Sequence, residues 1–287
     1  MKILITGSNS PLGSYFIQQI RHSYDNCKVF ALSRRNYQSN NENVQHITHD
    51  LQNDNIDCNE KFDIVLHVAS AVPAGAQDES EFSAVNHKGS IHLFKNLALA
   101  KNATILNISS TSVYDDPSSE ILTENSKKTS DNQYGLSKLQ FENSLNSLFA
   151  NTGIRVLTCR LPVLLVKGVQ NNFMANWLQQ IRIGQPITLF NPESLLNACI
   201  CGEDIFNFFI RFYEESSNQN LTCNLSSKKP IKVIDAAKLM IDSLGGPIKI
   251  IEKQAEKTAQ LVSNKLAVEN GFKPQTVEGS IRSFVKA

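Results

Sequence analysis

Short apolar runs alternate with longer stretches of helical period along the first half of the chain. Lys2–Thr6, Lys28–Ser33, Asp63–Val68, Thr104–Ser109 and Arg155–Leu161 read as strands, with His46–His49 a weaker one. Between them, Pro11–Ile20, Phe82–Ala100 and Tyr134–Phe149 carry helical spacing. The first has proline at its first turn, and the second offers Val85, Ile91, Phe94 and Leu97 as core positions. Strands that alternate with helices predict an α/β protein with a parallel, doubly wound sheet. Past residue 165 the alternation loosens. Asn172–Ile183, Ile205–Glu215 and Ile234–Leu244 read as helices, and Pro186–Phe190, Asn220–Leu225 and Ile248–Ile251 as extended segments. This divides the chain into a first domain over 1–165 and a smaller C-terminal α/β lobe over 166–287. The polar stretch Asp115–Asp131 reads as a loop.

Composition changes this picture little, but it excludes several functions. The chain has 287 residues, 41% hydrophobic and 19% charged, with a formal net charge of +1. Such a balance provides no field to gather nucleic acid or an acidic membrane surface. No run reaches the roughly 18 apolar residues of a membrane helix, and the first residues do not form a secretory signal, so a cytoplasmic protein is expected. The six cysteines form no CxxC pair. Cys199 and Cys201 alternate on an expected strand, but no further ligands accompany them, and the histidines lack HxxxH spacing. Reduced, buried thiols and no metal are the expectation.

Two motifs carry chemistry. Thr6-Gly7-Ser8-Asn9-Ser10-Pro11-Leu12-Gly13 joins the first strand to the first helix. A tight turn at Gly7, a small residue at position 10 and a close helix–strand contact at Gly13 suit a backbone that approaches a pyrophosphate at a helix N-terminus. Tyr134-Gly135-Leu136-Ser137-Lys138 places a phenol and an ammonium on one helix face at i and i+4. A lysine there is expected to lower the tyrosine pKa, so that Tyr134 exchanges a proton with a substrate oxygen.

The glycine turn, the segment Asn107-Ile108-Ser109-Ser110-Thr111-Ser112-Val113-Tyr114 and the YxxxK helix that follows 24 residues after Ser110 together resemble the extended short-chain dehydrogenase/reductase family of nucleotide-sugar epimerases and dehydratases. The resemblance implies a Rossmann-type fold and an NAD(P)-dependent oxidoreductase with Ser110, Tyr134 and Lys138 as its catalytic set. It assigns Gly7, Asn9, Ser10, Pro11, Leu12, Gly13, Asp50, Leu51, Ala69, Asn86, Lys138 and Pro162 to the cofactor. The assignment draws on Asp50-Leu51 as an adenine pair, on Asp63–Ala71 as a DxVxHxAA strand, and on Arg160-Leu161-Pro162-Val163 as a strand beside the nicotinamide. Taken alone, His67 reads as a packed core histidine. It also implies that residues around 205–225 rejoin the first domain and that helices near Phe82–Ala100 and Tyr134–Phe149 form a homodimer. Ser10 departs from the family's middle glycine.

Twenty residues after Gly13, where an NAD-binding fold usually carries an acidic residue, the chain has Ser33, followed by Arg34 and Arg35. A hydroxyl and a guanidinium suit a 2′-phosphate, so NADP(H) is expected over NAD(H). Asn171-Asn172-Phe173-Met174 resembles a substrate-contacting segment, with Asn172 as the substrate-binding residue, and Gln185–Phe190 resembles the hairpin after it. Asn197 stands where the family has a phosphate-clamping arginine; Lys167, Arg182 or Arg211 would have to compensate. Thr111-Ser112 replaces the acidic pair of the 4,6-dehydratases, which disfavours dehydration. The expected activity is an NADPH-dependent 4-keto-sugar reductase. An NAD-dependent 4-epimerase, a reductase of a non-sugar carbonyl and a non-catalytic dinucleotide-binding regulator are the alternatives.

Overall fold

The structure is a computed structural model, and it describes residues 1–24, 26–35, 42–53, 56, 58–76, 78–116, 118–170, 172–215, 220–256 and 260–286. In chain order the elements are β1 (Lys2–Thr6), α1 (Pro11–Ser23), β2 (Lys28–Ser33), β3 (Val44–Thr48), β4 (Lys61–His67), a π-helical segment (Phe82–Gly89) that runs into α2 (Ser90–Asn96), β5 (Ala98–Ser110), β6 (Ile121–Leu122), α3 (Gln133–Leu148) and β7 (Arg155–Leu161). The remainder comprises β8 (Val163–Leu165), α4 (Phe173–Arg182), β9 (Ile187–Phe190), β10 (Leu195–Leu196), β11 (Cys199–Cys201), α5 (Gly202–Glu214), β12 (Leu221–Asn224), β13 (Ile231–Lys232), α6 (Val233–Leu244), β14 (Ile250–Lys253), β15 (Leu261–Val262), α7 (Lys265–Glu269) and α8 (Val277–Lys286).

Two compact units emerge. The first holds residues 1–115, 127–160 and 209–222; the second holds 116–126, 161–208 and 223–287. The first unit is organised on a seven-stranded sheet of order β12-β7-β5-β4-β1-β2-β3. The β1–β2, β1–β4, β2–β3 and β4–β5 pairs are parallel. The strand order reverses between β1 and β4, the position where open α/β sheets bind ligands beyond their strand ends. Both faces of such a sheet are covered, and its strands are accordingly apolar nearly throughout. Leu4, Phe30, Phe62, Val65 and Ile105 pack with Phe94, Phe141 and Leu145 of the helices.

The second unit has its own core, in which Met174, Trp177, Ile187, Leu189, Ala236, Met240, Ile281 and Phe284 meet. Its strands form two-stranded sheets rather than one continuous sheet.

Three expectations about elements need correction. The Phe82–Ala100 stretch is not one helix: it is π-helical to Gly89, α-helical to Asn96, and already strand at Ala98. Val85, Phe94 and Leu97 are buried as expected, but apolar spacing does not reveal where the backbone leaves the helix. The polar Asp115–Asp131 stretch is not merely a loop, since β6 within it pairs in parallel with β15. Gln185–Phe190 does not form a hairpin, because β9 pairs in parallel with β14. In both cases the partner lies over sixty residues away, beyond the reach of a local pattern.

Candidate active site

The N-terminal turn is built around close backbone approaches. Gly7 has φ +66°, and a Cβ there would lie 2.7 Å from the amide nitrogen of Ala69. A Cβ at Gly13 would lie 2.3 Å from the Gly7 carbonyl oxygen. Side chains are therefore excluded and the turn presents backbone, which fits a dinucleotide pyrophosphate at the start of α1. Ser10, in place of the middle glycine, is the N-cap: its Oγ accepts from the Gly13 amide at 3.1 Å, with Pro11 next in the helix. Leu12 is buried.

Other residues expected at this site lie around the turn. Asp50 closes an Asx turn, its Oδ1 accepting from Gln52 N at 3.1 Å. The Leu51 carbonyl oxygen lies where a Cβ on Gly89 would fall, 2.0 Å from it, so Gly89 lets the helical segment dock against the Asp50-Leu51 corner. Ser33 and Arg34 do not stand as a free anion site. Ser33 Oγ donates to the Arg35 carbonyl at 2.9 Å, and Asn9 Nδ2 donates to the same oxygen at 3.4 Å. Arg34 Nη1 lies 3.6 Å from Glu81 Oε1, with the arginine side chain 63% exposed and the glutamate 14%.

A buried polar chain supports the turn from below. The Ala69 amide donates to Thr6 Oγ1 at 3.2 Å, and Thr6 Oγ1 lies 2.9 Å from His67 Nδ1. His67 Nε2 lies 3.1 Å from Ser90 Oγ, which donates to the Val85 carbonyl at 2.8 Å. These partners select a neutral imidazole with its proton on Nε2. Burial, with the Lys138 ammonium adding to it, pushes the His67 pKa down to about 3.

Asn86, in the π-helical segment, joins this region to α3. Its Oδ1 accepts from Ala71 N at 2.7 Å and Ser70 Oγ at 3.1 Å, and its Nδ2 donates to Ala71 O at 3.0 Å and Ser137 Oγ at 3.1 Å.

Ser110 ends β5 and caps the short 3₁₀ turn Thr111–Val113, accepting from Ser112 N at 3.1 Å and donating to Ser112 Oγ at 3.1 Å. A Cβ on Gly135 would lie 1.9 Å from the Ser112 carbonyl oxygen. The glycine of the YxxxK motif thus lets α3 pack directly on the backbone that follows Ser110. Asn132 caps that helix through Gly135 N at 3.0 Å. The Tyr134 phenol consequently hydrogen-bonds the hydroxyls of Ser110 and Ser70, and its ring meets Phe82 edge-on at 5.6 Å.

Ser70 was not anticipated by the motif reading. Its position at the C-terminal end of a central strand is the signal that could have identified it.

Lys138 is buried, and its Nζ donates to the Ile108 carbonyl at 3.0 Å. Burial pushes its pKa down to about 8, opposed by the Glu142 carboxylate. The expectation that Lys138 lowers the Tyr134 pKa is corrected here. Burial raises the phenol, and only the Ser110 and Ser70 hydroxyls oppose it. Lys138 points its proton at a backbone oxygen instead.

In the second unit, Pro162 sits between β7 and β8. Asn172 caps α4, accepting from Ala175 N at 2.8 Å and donating to Leu164 O at 3.1 Å; its neighbour Asn171 lies outside the described residues. Asn197 accepts from Val262 N at 2.9 Å and donates to Val262 O at 2.8 Å. Arg182 donates to Val285 O at 3.4 Å; Arg211, in the first unit, pairs with Glu215. Thr111 and Ser112 leave no carboxylate beside Ser110. Cys199 and Cys201 are buried free thiols.

A family model described as the NAD dependent epimerase/dehydratase family matches residues 3–225. The chain belongs to this family. Its members' fold recurs over the whole chain in solved structures. A UDP-glucuronic acid 4-epimerase from Bacillus cereus in complex with NAD superposes with TM-score 0.80 at 17% identity, covering 100% of this chain and 96% of that one. RMD from Pseudomonas aeruginosa complexed with NADPH gives TM-score 0.76 at 19% identity, covering 99% and 97%. A dTDP-glucose 4,6-dehydratase from Bacillus anthracis in complex with NAD gives 0.76 at 15%, covering 100% and 96%. At these identities the likeness shows the fold. No curated protein matches the chain in sequence. As a family member the protein is an NAD(P)-dependent short-chain dehydrogenase/reductase, and no helix among the described residues is long and apolar enough to cross a membrane.

Proposed function

We propose that the protein is a nucleotide-sugar 4-epimerase that retains NAD(H). The observation that carries this reading is the Arg34–Glu81 pair. A carboxylate 3.6 Å from Arg34 competes for the guanidinium that a 2′-phosphate would need and repels that phosphate. Ser33 Oγ, the second group expected at the phosphate, is directed to the Arg35 carbonyl. An unphosphorylated ribose suits this arrangement, and an epimerase takes up and returns one hydride without exchanging its cofactor. The name of the Bacillus cereus neighbour, a UDP-glucuronic acid 4-epimerase, supports the substrate class.

Gly7, Asn9, Ser10, Pro11, Leu12 and Gly13 would hold the pyrophosphate, with Asp50, Leu51, Ala69, Asn86 and Pro162 around the rest of the cofactor and Lys138 at its nicotinamide end. The bound nicotinamide supplies a hydride acceptor and donor. Tyr134 Oη takes the proton of the sugar hydroxyl as the alcohol is oxidised and returns it to the carbonyl oxygen on reduction. Ser110 Oγ donates to that same oxygen, and Ser70 holds the phenol in line. Lys138, bonded through Nζ to the Ile108 carbonyl, would hold the nicotinamide end of the cofactor rather than tune the phenol.

Arg34 is exposed and its pairing is long, which favours a second reading: a 4-keto-sugar reductase in which NADPH displaces Glu81 from Arg34. The nucleotide content of the purified protein, followed by NADH and NADPH titration, separates the two. The epimerase reading expects bound NAD, or NADH held tighter by roughly tenfold, about 1.4 kcal/mol. A protein free of nucleotide that prefers NADPH by that margin overturns it in favour of the reductase.

A further inference from the structure

Behind Ser110 and Lys138 lies a buried ionic cluster that the reaction as described does not use. Glu142 follows Lys138 by one turn on α3 and is buried, with its side chain 2% exposed. Ser109 Oγ donates to Glu142 Oε1 at 2.5 Å. Arg160, on β7, donates from Nε to Oε1 at 3.1 Å and to Oε2 at 3.2 Å, and from Nη2 to Oε2 at 2.6 Å. Its Nη1 donates to Tyr114 Oη at 2.8 Å, and the guanidinium carbon sits 5.2 Å from the centroid of the Tyr114 ring. The carboxylate thus ties together α3, the end of β5 and β7.

The charges in this cluster are unbalanced. Lys138 and Arg160 are two cations that share one carboxylate. The other titratable groups around Lys138 carry no charge near neutrality: His67 from β4 is held neutral by burial, and Tyr134 on the same helix is raised by burial. Tyr114, beyond Arg160, is a phenol that accepts the guanidinium's proton-bearing edge. Among the described residues, Glu142 is therefore the anion that holds a proton on Lys138.

A structural staple would need no such placement. Replacing a buried ion pair by apolar side chains is often neutral or stabilising, so the pair is poor evidence of a role in stability alone.

We propose that Glu142 is a positioning residue that keeps Lys138 protonated at working pH, and that Arg160, Tyr114 and Ser109 hold the carboxylate where it does so. The consequence for activity rests on the role assigned to Lys138 above; the electrostatic claim does not.

The test is NMR titration of the lysine side chains in protein carrying ¹³C,¹⁵N-labelled lysine, with Lys138 assigned by its loss in Lys138→Met. In the parent protein Lys138 should titrate near pH 8, as its burial beside Glu142 implies. Glu142→Gln, close to isosteric, should lower that midpoint by about one unit or more, and Glu142→Asp should recover most of the shift. Loosening of the core would admit water and move Lys138 the other way, towards the usual lysine value, so the direction separates charge from packing. If Glu142→Gln does not fold, Glu142→Leu combined with Arg160→Met replaces the pair by apolar volume, and a smaller downward shift is expected, because the repulsion from Arg160 is removed together with the nearer carboxylate on the helix of Lys138. A midpoint that stays in place or rises in the folded variants overturns the proposal. A downward shift without a matching move in the alkaline limb of turnover leaves the proposal standing and removes Lys138 from the reaction.

Discussion

The two units satisfy their backbone polar groups in different ways. In the first, one seven-stranded sheet pairs the main chain with itself. The polar side chains at its strand ends are thereby left to converge on one another: Thr6 on His67, Ser70 on Asn86, Ser110 on Tyr134. In the second, the strands pair only two by two, and amide side chains complete what a ladder would do. Asn197 bonds both backbone groups of Val262, Asn191 bonds both of Ala255 at 3.1 and 2.9 Å, and Gln260 bonds the carbonyls of Asp116 and Ser119. A buried backbone group left unpaired is costly, so these amides are committed to structure. Polar side chains at the motif positions thus meet one another in the first unit, whereas Asn172 and Asn197 of the second bond backbone groups.

The contrast can be broken most forcefully at Tyr134. Tyr134→Phe keeps the edge-on contact with Phe82 and removes the proton carrier, so turnover on a responsive nucleotide sugar should fall about 10²- to 10⁴-fold with little change in melting temperature. A steady-state assay beside a thermal melt checks both. Next in size is Asn197→Ala, which strands the Val262 amide and leaves its carbonyl to the Ser226 hydroxyl alone. It should cost about 1–3 kcal/mol of stability while dinucleotide affinity stays level, as read by denaturant unfolding and fluorescence titration. If NADH binding fell in step with stability, the division of labour between the units would be wrong. The smallest effect is expected from Ser10→Gly, which restores the family's glycine and removes the cap on Gly13. A loss of a few tenths of a kcal/mol should move the melting temperature by no more than about 1 °C.

Neither helix region expected to form a homodimer exposes a large hydrophobic side chain. Among the described residues those are Met1, Val72, Ile121, Phe173, Ile183, Phe190, Leu195, Ile251 and Val268, and most lie in the second unit.

Much of the first unit was legible from local rules. The limits of β2 and β7 follow from apolar runs, and the turn at Gly7 and Gly13 follows from residue type, because each depends on neighbours close in sequence. Gly89 and Gly135 carry the same message of close approach, but the atoms they approach belong to Leu51 and Ser112, far along the chain. Ser33 and Arg34 could be placed by counting from Gly13. The partner of Arg34 could not, since Glu81 arrives from another element.

By itself the sequence determined the alternation of strand and helix, the tight backbone turn at Gly7 and Gly13 and the shared helix face of Tyr134 and Lys138, all of which rest on periodicity and residue type. Only the tertiary structure decided that Lys138 faces the Ile108 carbonyl with Glu142 behind it, that Ser70 joins Tyr134, and that Asn197 binds a strand. Burial, charge proximity and backbone pairing between distant segments set those outcomes, and none of the three is a property of a local stretch of chain.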